Sequence, residues 1–578
     1  MFNSPMRRAI RLMCLVAAVA LIGYGMIQPV ERDARWLAAL WLAALPLLVV
    51  ARLMLPPLPR GPSRSILYLG VFIAVGFGLL SLQLLRQQFI RADAIYAQVY
   101  VDPQTGQVTS NVRPVIASQR VQRGKIIDRN GTVLADTRMT DGGFAHRVYP
   151  LGEGLDPAAF GNVLGYFSHR YGQTGLEYTY GDYLSGERDA FGRLSDTLLG
   201  RPQVGDDLRL TLDARLQQAA RTVLGGRTGS IVVLDPASGA VLAMASAPGF
   251  DPAQLAFNPA APDRDAENER ISAYWQRLNS EDAGQPLLNR PTQGRYPPGS
   301  TFKTVTAVGV LEHPNQGRPD DIRCLNELET EPGAPPVVNA VPDLASLTGD
   351  PSNLERVYAF SCNVAFAQYA LRLGAQLMEE VAGRFDIYRP QDAPESYPGF
   401  TDLPADASTL YADPGFLNRP AGLADTGYGQ GQIQVTPLQM AMVAAAVAND
   451  GVLMRPYLVD KVTRPDGSIV IANGPRAIRR AMSRETAARM RANMRAVVAY
   501  GFGRPAQAVD PSVAVVGGKS GTAEHGPGTT PHAWFIAIAP VERPRYAVAV
   551  MIENGGEGSR VAAAAAGQVL AAAIELEK

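Results

Sequence analysis

The chain has 578 residues and carries 54 Lys+Arg against 54 Asp+Glu, so its formal net charge is zero. That length allows roughly two to four domains with a large core, and a balanced charge without a basic block argues against nucleic acid as a partner. The 56 glycines and 44 prolines fit a loop-rich α/β protein and form no low-complexity repeat.

The charge is not spread evenly. Within residues 1–65, Arg7, Arg8, Arg11, Arg32, Arg35, Arg52, Arg60 and Arg64 face only Glu31 and Asp33, a net +6. The same region holds apolar runs at Ile10–Ile27, Trp36–Ala51 and Ile66–Leu85. At a rise of about 1.5 Å per residue, about 20 residues cross a hydrocarbon core, so each run is a predicted transmembrane helix. The middle run is short and contains Pro46; it crosses if Leu53–Leu55 join it and Arg52 snorkels. Arginines before the first span and between the second and third place the N-terminus in the cytoplasm and everything after Leu85 outside, anchored to the cell membrane. A rival reading is a cleaved signal peptide with Ala18-Val19-Ala20 as its site; the later spans stand either way.

Residues 87–202 are mixed and polar, and Gln83–Val99 reads as a stalk helix continuing the third span. Asn130-Gly131 marks a hairpin within Gln122–Ala135. Nothing here has the pattern of reactive chemistry, so this segment is expected to be an extended mixed α/β pedestal. From Gly205 the pattern becomes a compact α/β domain. Asp213–Leu224 is an amphipathic helix, and Ser230–Leu234 and Ala240–Ala245 are strands joined by the turn Asp235-Pro-Ala-Ser-Gly239. A second hairpin, Ala533–Ala539 with Tyr546–Glu553, and a terminal helix Arg560–Leu576 follow far downstream. Strands at both ends with a helical middle, about 255–510, predict one antiparallel sheet closed by the two ends of the domain. The loops at 255–290 and 385–420 are open as cleft walls.

The three cysteines are Cys14, Cys324 and Cys362. The last two either pair outside the cytoplasm or stay buried thiols; sequence leaves both open. The five histidines have no metal spacing and no Cys-x-x-Cys occurs, so no metal or cofactor is expected.

The chemistry gathers in three short motifs. In Arg295-Tyr-Pro-Pro-Gly-Ser-Thr-Phe-Lys303, the prolines and Gly299 mark a turn leading into a helix that carries Ser300 at its start and Lys303 one turn on. A serine there meets unpaired N–H groups, and an ammonium in an apolar pocket can lose its proton and act as base. Ser361-Cys362-Asn363 opens another helix, with a hydroxyl to relay a proton and an amide to hold a peptide. In Gly517-Gly-Lys-Ser-Gly-Thr-Ala-Glu524, Lys519 offers positive charge, Ser520 a hydroxyl and Gly521 close backbone approach. The spacing excludes a phosphate loop. Taken singly, each motif also reads as an ordinary helix cap or glycine turn.

In this order the motifs resemble the Ser-x-x-Lys, Ser-x-Asn, Lys-Thr/Ser-Gly signature of penicillin-binding proteins and serine β-lactamases. Arg123-Gly-Lys-Ile-Ile-Asp-Arg-Asn-Gly131, Val233-Leu-Asp-Pro-Ala-Ser-Gly239 and Gly427-Tyr-Gly-Gln-Gly431 are similar to class B, the monofunctional penicillin-binding proteins. The resemblance implies a membrane region at 1–86, a pedestal at 87–202, and a transpeptidase domain at 203–578 whose antiparallel sheet is flanked by helices, with an all-helical subdomain. It implies peptidoglycan D,D-transpeptidation on stem peptides. Ser300 would be the nucleophile and Lys303 the base. Ser361 and Asn363 would relay the proton and position the peptide. Lys519, Ser520, Gly521 and Thr522 would bind the substrate carboxylate, and the backbone N–H groups of Ser300 and Thr522 would form the oxyanion hole. β-Lactams would acylate Ser300. A polytopic SEDS-type glycan polymerase is the implied membrane partner, and the additional hairpin Ile10–Ala51 is where it would pack. Rival readings are a D,D-carboxypeptidase with the same site and a non-catalytic β-lactam-binding sensor or scaffold. A β-lactamase is disfavoured by the three spans and by the lack of a Glu-x-x-Leu-Asn stretch. The segment between the last span and the catalytic domain is too short for a fused glycosyltransferase. Cys362 stands where β-lactamases commonly have Asp.

Overall fold

The computed structural model describes residues 5–26, 28, 33–54, 61–90, 99–101, 108–110, 118–188 and 202–577. The chain divides into two compact units, residues 1–118 and 119–578.

In the first unit, helices α1 (Pro5–Met26), α2 (Asp33–Met54) and α3 (Pro62–Leu85) are each long and apolar enough to cross a membrane. The short middle run is thus extended at its C-terminal end, and Pro46 is carried inside the helix. Trp36 is fully buried against α1, where a side chain at Gly25 would come within 2.5 Å of the indole. Its indole N–H donates to Gln83 of α3, and the Arg86 guanidinium lies 5.2 Å over the ring. Arg52 and Arg64 flank the Tyr68 ring at 5.6 and 5.4 Å. Beyond α3 the chain continues as a π-helical turn, Arg86–Ile90, and the rest of the expected stalk helix, at 91–98, lies outside the described residues.

The second unit contains two large sheets. One has six strands, β1 (Ile126–Ile127), β2 (Val133–Met139), β3 (Ala145–Val148), β4 (Asp207–Leu210), β7 (Val459–Thr463) and β8 (Ile469–Ala472), in the spatial order β8-β7-β4-β1-β2-β3. β1 and β2 form the hairpin expected around Asn130-Gly131, and Gly131 sits at φ +96°. Asp128 shapes it: one carboxylate oxygen accepts from the N–H groups of Asn130 and Thr132, and the other from that of Ala214, where the helix Ala214–Leu224 starts. Strands on either side of residue 202 share this sheet. The pair β7–β8 is absent from the sequence reading, because its alternation is weak and Ile469 stays 59% exposed.

The other sheet has five antiparallel strands, β5 (Gly229–Leu234), β6 (Val241–Ala247), β9 (Gly517–Ala523), β10 (His532–Ala539) and β11 (Tyr546–Ile552), ordered β6-β5-β11-β10-β9. The first strands of the domain pair with its last, as the sequence predicts. Successive side chains of β5 enter opposite cores. Val232 and Leu234 join the wholly buried helix α8 (Pro437–Ala448), while Ile231 and Val233 meet α4 (Ala214–Leu224) and α9 (Val561–Glu575). Burial on both faces explains why the strands read as near-continuous apolar runs.

Arg123, the first residue of the Arg123–Gly131 motif, joins Arg147 and Glu177 in a buried ion cluster. Glu177 receives Arg147 Nε at 2.6 Å and Arg123 Nη2 at 2.8 Å, and all three residues are at most 6% exposed. Burial alone would raise the Glu177 carboxyl; the two guanidinium groups pull it below its ordinary value. Removing the one anion would leave two cations buried without compensation. Glu177→Gln is therefore expected to lower the unfolding free energy by about 3–5 kcal/mol. Denaturant unfolding checks this, and a change under about 1 kcal/mol would contradict it.

Candidate active site

The serine-bearing turn is built by its prolines and pinned to the sheet. Gly299–Phe302 is a 3-10 turn that runs into helix α5 (Lys303–Glu312). Residues three apart eclipse in such a turn, so Ser300 and Lys303 share one side. Trp534 of β10 donates its indole N–H to the Pro297 carbonyl at 3.0 Å, and Thr301 Oγ1 donates to Pro298 O at 2.7 Å. The turn then lies directly on β9. A side chain at Gly299, whose φ is +53°, would stand 2.6 Å from the Thr522 carbonyl oxygen. One at Gly521 would stand 2.8 Å from Pro298 O. Only glycine at both positions lets the two backbones touch.

The Lys519 segment is the edge strand β9 rather than the glycine turn that its composition suggests. Its ladder with β10 is regular from Gly517 opposite Ile538 to Ala523 opposite His532. An edge strand keeps unpaired N–H and C=O groups toward whatever lies beside it, here the cleft.

Ser361 joins α6 (Leu354–Ala359) to α7 (Asn363–Arg384). It is not the helix cap: Cys362 occupies that position, and Ser361 precedes it in the left-handed region at φ +56°. This conformation turns its hydroxyl to two lysines at once. Lys303 Nζ lies 3.1 Å from Ser361 Oγ, 2.7 Å from Ser361 O and 2.7 Å from Asn363 Oδ1. Lys519 Nζ lies 2.9 Å from the same hydroxyl and 2.9 Å from Ser520 O. Asn363 is held from its other end, where Nδ2 donates to Val338 O at 3.0 Å.

Both lysines are fully buried. Burial holds the Lys303 amine well below its ordinary value, and the Lys519 charge pushes it further the same way. Burial brings Lys519 down to about 7. Two cations around one hydroxyl repel each other, so the arrangement favours one neutral and one charged amine. Lys519 keeps the proton more readily.

Above the lysines opens a cleft of about 310 Å³, lined by Ser300, Ser361, Asn363, Ser520 and Thr522. The motif residues singled out in the sequence are thus brought to one place, with Lys303 and Lys519 beneath and Gly521 at the contact between turn and strand. The walls are what the sequence missed. Among the described residues they come from Ala340–Leu344, from Phe360 and Phe502, from Tyr428 and Gln430, and from Glu524, Glu557 and Ser559, not from the loops at 255–290 or 385–420. Tyr428 is steadied by donating to Asp425 Oδ1 at 2.6 Å. Its Gly-Tyr-Gly-Gln-Gly setting was visible as a motif and Glu524 ends the Lys519 motif, whereas Ala340–Leu344, Glu557 and Ser559 come from segments with no local signal. A serine hydroxyl against a strand edge, one turn from a buried amine inclined to lose its proton, is equipped for acyl transfer without histidine.

Comparison with known proteins agrees. The penicillin binding protein transpeptidase domain family matches residues 229–571, and the penicillin binding protein A dimerisation domain family matches residues 123–208. The peptidoglycan D,D-transpeptidase PbpA of Mycolicibacterium smegmatis is 34% identical over 509 residues, 84% of this chain and 95% of its own length. The peptidoglycan D,D-transpeptidase MrdA of Escherichia coli is 27% identical over 484 residues, 72% of this chain and 70% of its own. Penicillin-binding protein A from Mycobacterium tuberculosis, solved as a ceftriaxone acyl-enzyme complex, aligns with a TM-score of 0.69 at 32% identity, covering 79% of this chain and 99% of that one. The chain belongs to the penicillin-binding protein transpeptidase family, in the class B branch.

Proposed function

We propose that this protein is a membrane-anchored peptidoglycan D,D-transpeptidase working through an acyl-enzyme on Ser300. The observation that carries the reading is the Ser361 hydroxyl shared by two buried amines beneath the cleft that Ser300 lines. Lys303, neutral, takes the Ser300 proton as Oγ attacks the carbonyl of the penultimate D-alanine. The oxyanion is met by the backbone N–H groups of Ser300 and Thr522, donors typically worth about 2.7–4 kcal/mol each. The proton passes by way of Ser361 to the departing D-alanine amine. Lys519, Ser520 and Thr522 hold the terminal carboxylate, with Gly521 keeping the strand against the serine turn, and Asn363 orients the peptide amide. The amine of a neighbouring stem peptide then attacks the ester, forming the cross-link and freeing Ser300. β-Lactams acylate the same oxygen.

The domain reading that goes with this is a membrane region at 1–86, a pedestal at 87–202 and a transpeptidase domain at 203–578. The arginines put the N-terminus in the cytoplasm and the cleft outside, where peptidoglycan is. The hairpin Ile10–Ala51 is the docking element for a polytopic SEDS-type glycan polymerase. Deletion of residues 1–60 is expected to abolish co-purification with that polymerase while acylation by penicillin continues; undiminished co-purification refutes the docking role.

Incubation of the full chain with a fluorescent penicillin is expected to give a covalent label that Ser300→Ala abolishes. Lys303→Ala is expected to lose acylation at an unchanged melting temperature. Labelling that survives Ser300→Ala removes the nucleophile from this scheme. The pH profile follows from the two amines. Acylation needs Lys303 without its proton and Lys519 with one. The second-order rate constant should rise with pH as Lys303 deprotonates and fall again as Lys519, at about 7 in the free protein, loses its charge. A flat profile from roughly pH 5 to 9 would contradict the assignment.

A further inference from the structure

Ser361 adopts a backbone conformation that residues other than glycine rarely take, and its hydroxyl is useful only in that pose. Something must hold the turn. Lys303 contributes, but a base that gains and loses a proton is a poor anchor. The backbone bonds Ser361 N–H to Tyr358 O, 3.2 Å, and Cys362 N–H to Val357 O, 2.9 Å, fix only the α6 side.

The remaining ties converge on the residue between the two functional side chains. Cys362 is disulfide-bonded to Cys324, with the two Cα atoms 6.1 Å apart, and neither is more than 2% exposed. Cys324 ends a strap that runs along α7. Tyr369 donates to Pro319 O at 3.1 Å, Arg372 to Asp321 O at 2.7 Å and Gln368 to Arg323 O at 2.9 Å. Asn339 closes the knot. Its Nδ2 donates to Leu325 O at 2.8 Å, and its Oδ1 accepts from Val364 N–H at 3.2 Å. Its neighbour Val338 supplies the carbonyl that holds Asn363. The strap, the 338–339 segment and the 361–364 turn are therefore bound to one another around the disulfide. The strap's bonds to Tyr369, Arg372 and Gln368 do not depend on the S–S bond, so opening it removes the covalent tie between turn and strap and leaves the turn to its hydrogen bonds with Val338, Asn339 and α6.

We propose that the Cys324–Cys362 disulfide, with Asn339 beside it, is a positioning device for the proton relay: it holds the Ser361–Asn363 turn in reach of Lys303 and Lys519, so that acylation of Ser300 depends on the oxidised pair. The proposal rests on the acyl-enzyme reading above. A stem-peptide cross-linker built this way reaches full activity only after its two cysteines have been oxidised.

The test uses the full chain in detergent micelles and a fluorescent penicillin, separating the limiting acylation rate from the half-saturating concentration. Denatured protein should show one reactive thiol, Cys14, before reduction and all three cysteines after it. Dithiothreitol opens the bond by donating two electrons and two protons to the two sulfurs, leaving two thiols and the cyclic oxidised reagent. The reduced protein and the double variant Cys324→Ser/Cys362→Ser are both expected to lose limiting acylation rate on the order of tenfold or more, with half-saturation little changed. The reagent should do nothing further to the double variant, and reoxidation should restore the wild-type rate. Asn339→Ala should slow the same step. If either the reduced protein or the double variant acylates at the wild-type limiting rate, or loses only melting temperature, the proposal is wrong. Should the double variant fail to fold, the reduced wild-type chain still decides. Oxidised wild-type protein that takes no label at all would instead overturn the acyl-enzyme reading.

Discussion

Everything in the catalytic half of this protein serves the burial of two lysine amines around one serine hydroxyl. An ammonium out of water is unstable unless paired with an anion, and among the described residues no carboxylate hydrogen-bonds to Lys303 or Lys519. The fold offers neutral acceptors instead: the Ser361 carbonyl and hydroxyl, the Asn363 amide oxygen and the Ser520 carbonyl. The outcome is an amine that is hydrogen-bonded yet ready to give up its proton, which a nucleophilic serine requires.

Such a site needs contributions from far apart in the chain, and the sheet assembles them. β9 brings Lys519 to the edge, β10 anchors the serine turn through Trp534, and α7 starts two residues after Ser361. The glycine contacts between turn and strand leave no room for adjustment. At Gly299 and Gly521 the strand and the turn are already in backbone contact, so the separation of Ser300 from Thr522 is set by main chain rather than by mobile side chains. The segment before the catalytic domain is held by a different device, the buried Glu177 between two arginines, one of them Arg123, 54 residues away in the chain.

Some of this was legible because local chemistry and final geometry agree. Pro297-Pro298-Gly299 can only lead into a helix, and a spacing of three puts Ser300 and Lys303 on one side whether the turn is 3-10 or α. Strands buried on both faces announce themselves as apolar runs. Other elements were hidden because their stability comes from neighbours. Gly517–Ala523 has the composition of a loop and becomes a strand because β10 supplies its ladder and because glycine permits the close approach of Phe535 and the serine turn. Ser361 reads as a helix cap, yet the cap is Cys362, and the serine's left-handed pose is visible only in the folded chain.

The sequence by itself determined the membrane helices, the alternation that builds the sheet, and the identity and order of the chemical groups, since these follow from hydrophobicity, backbone sterics and side-chain chemistry that each residue carries wherever it lies. Only the tertiary structure decided that Cys324 pairs with Cys362, which loops wall the cleft, and that both lysines lose their water around the Ser361 hydroxyl. Proximity and desolvation belong to the packed assembly, and no residue possesses them before the chain has closed on itself.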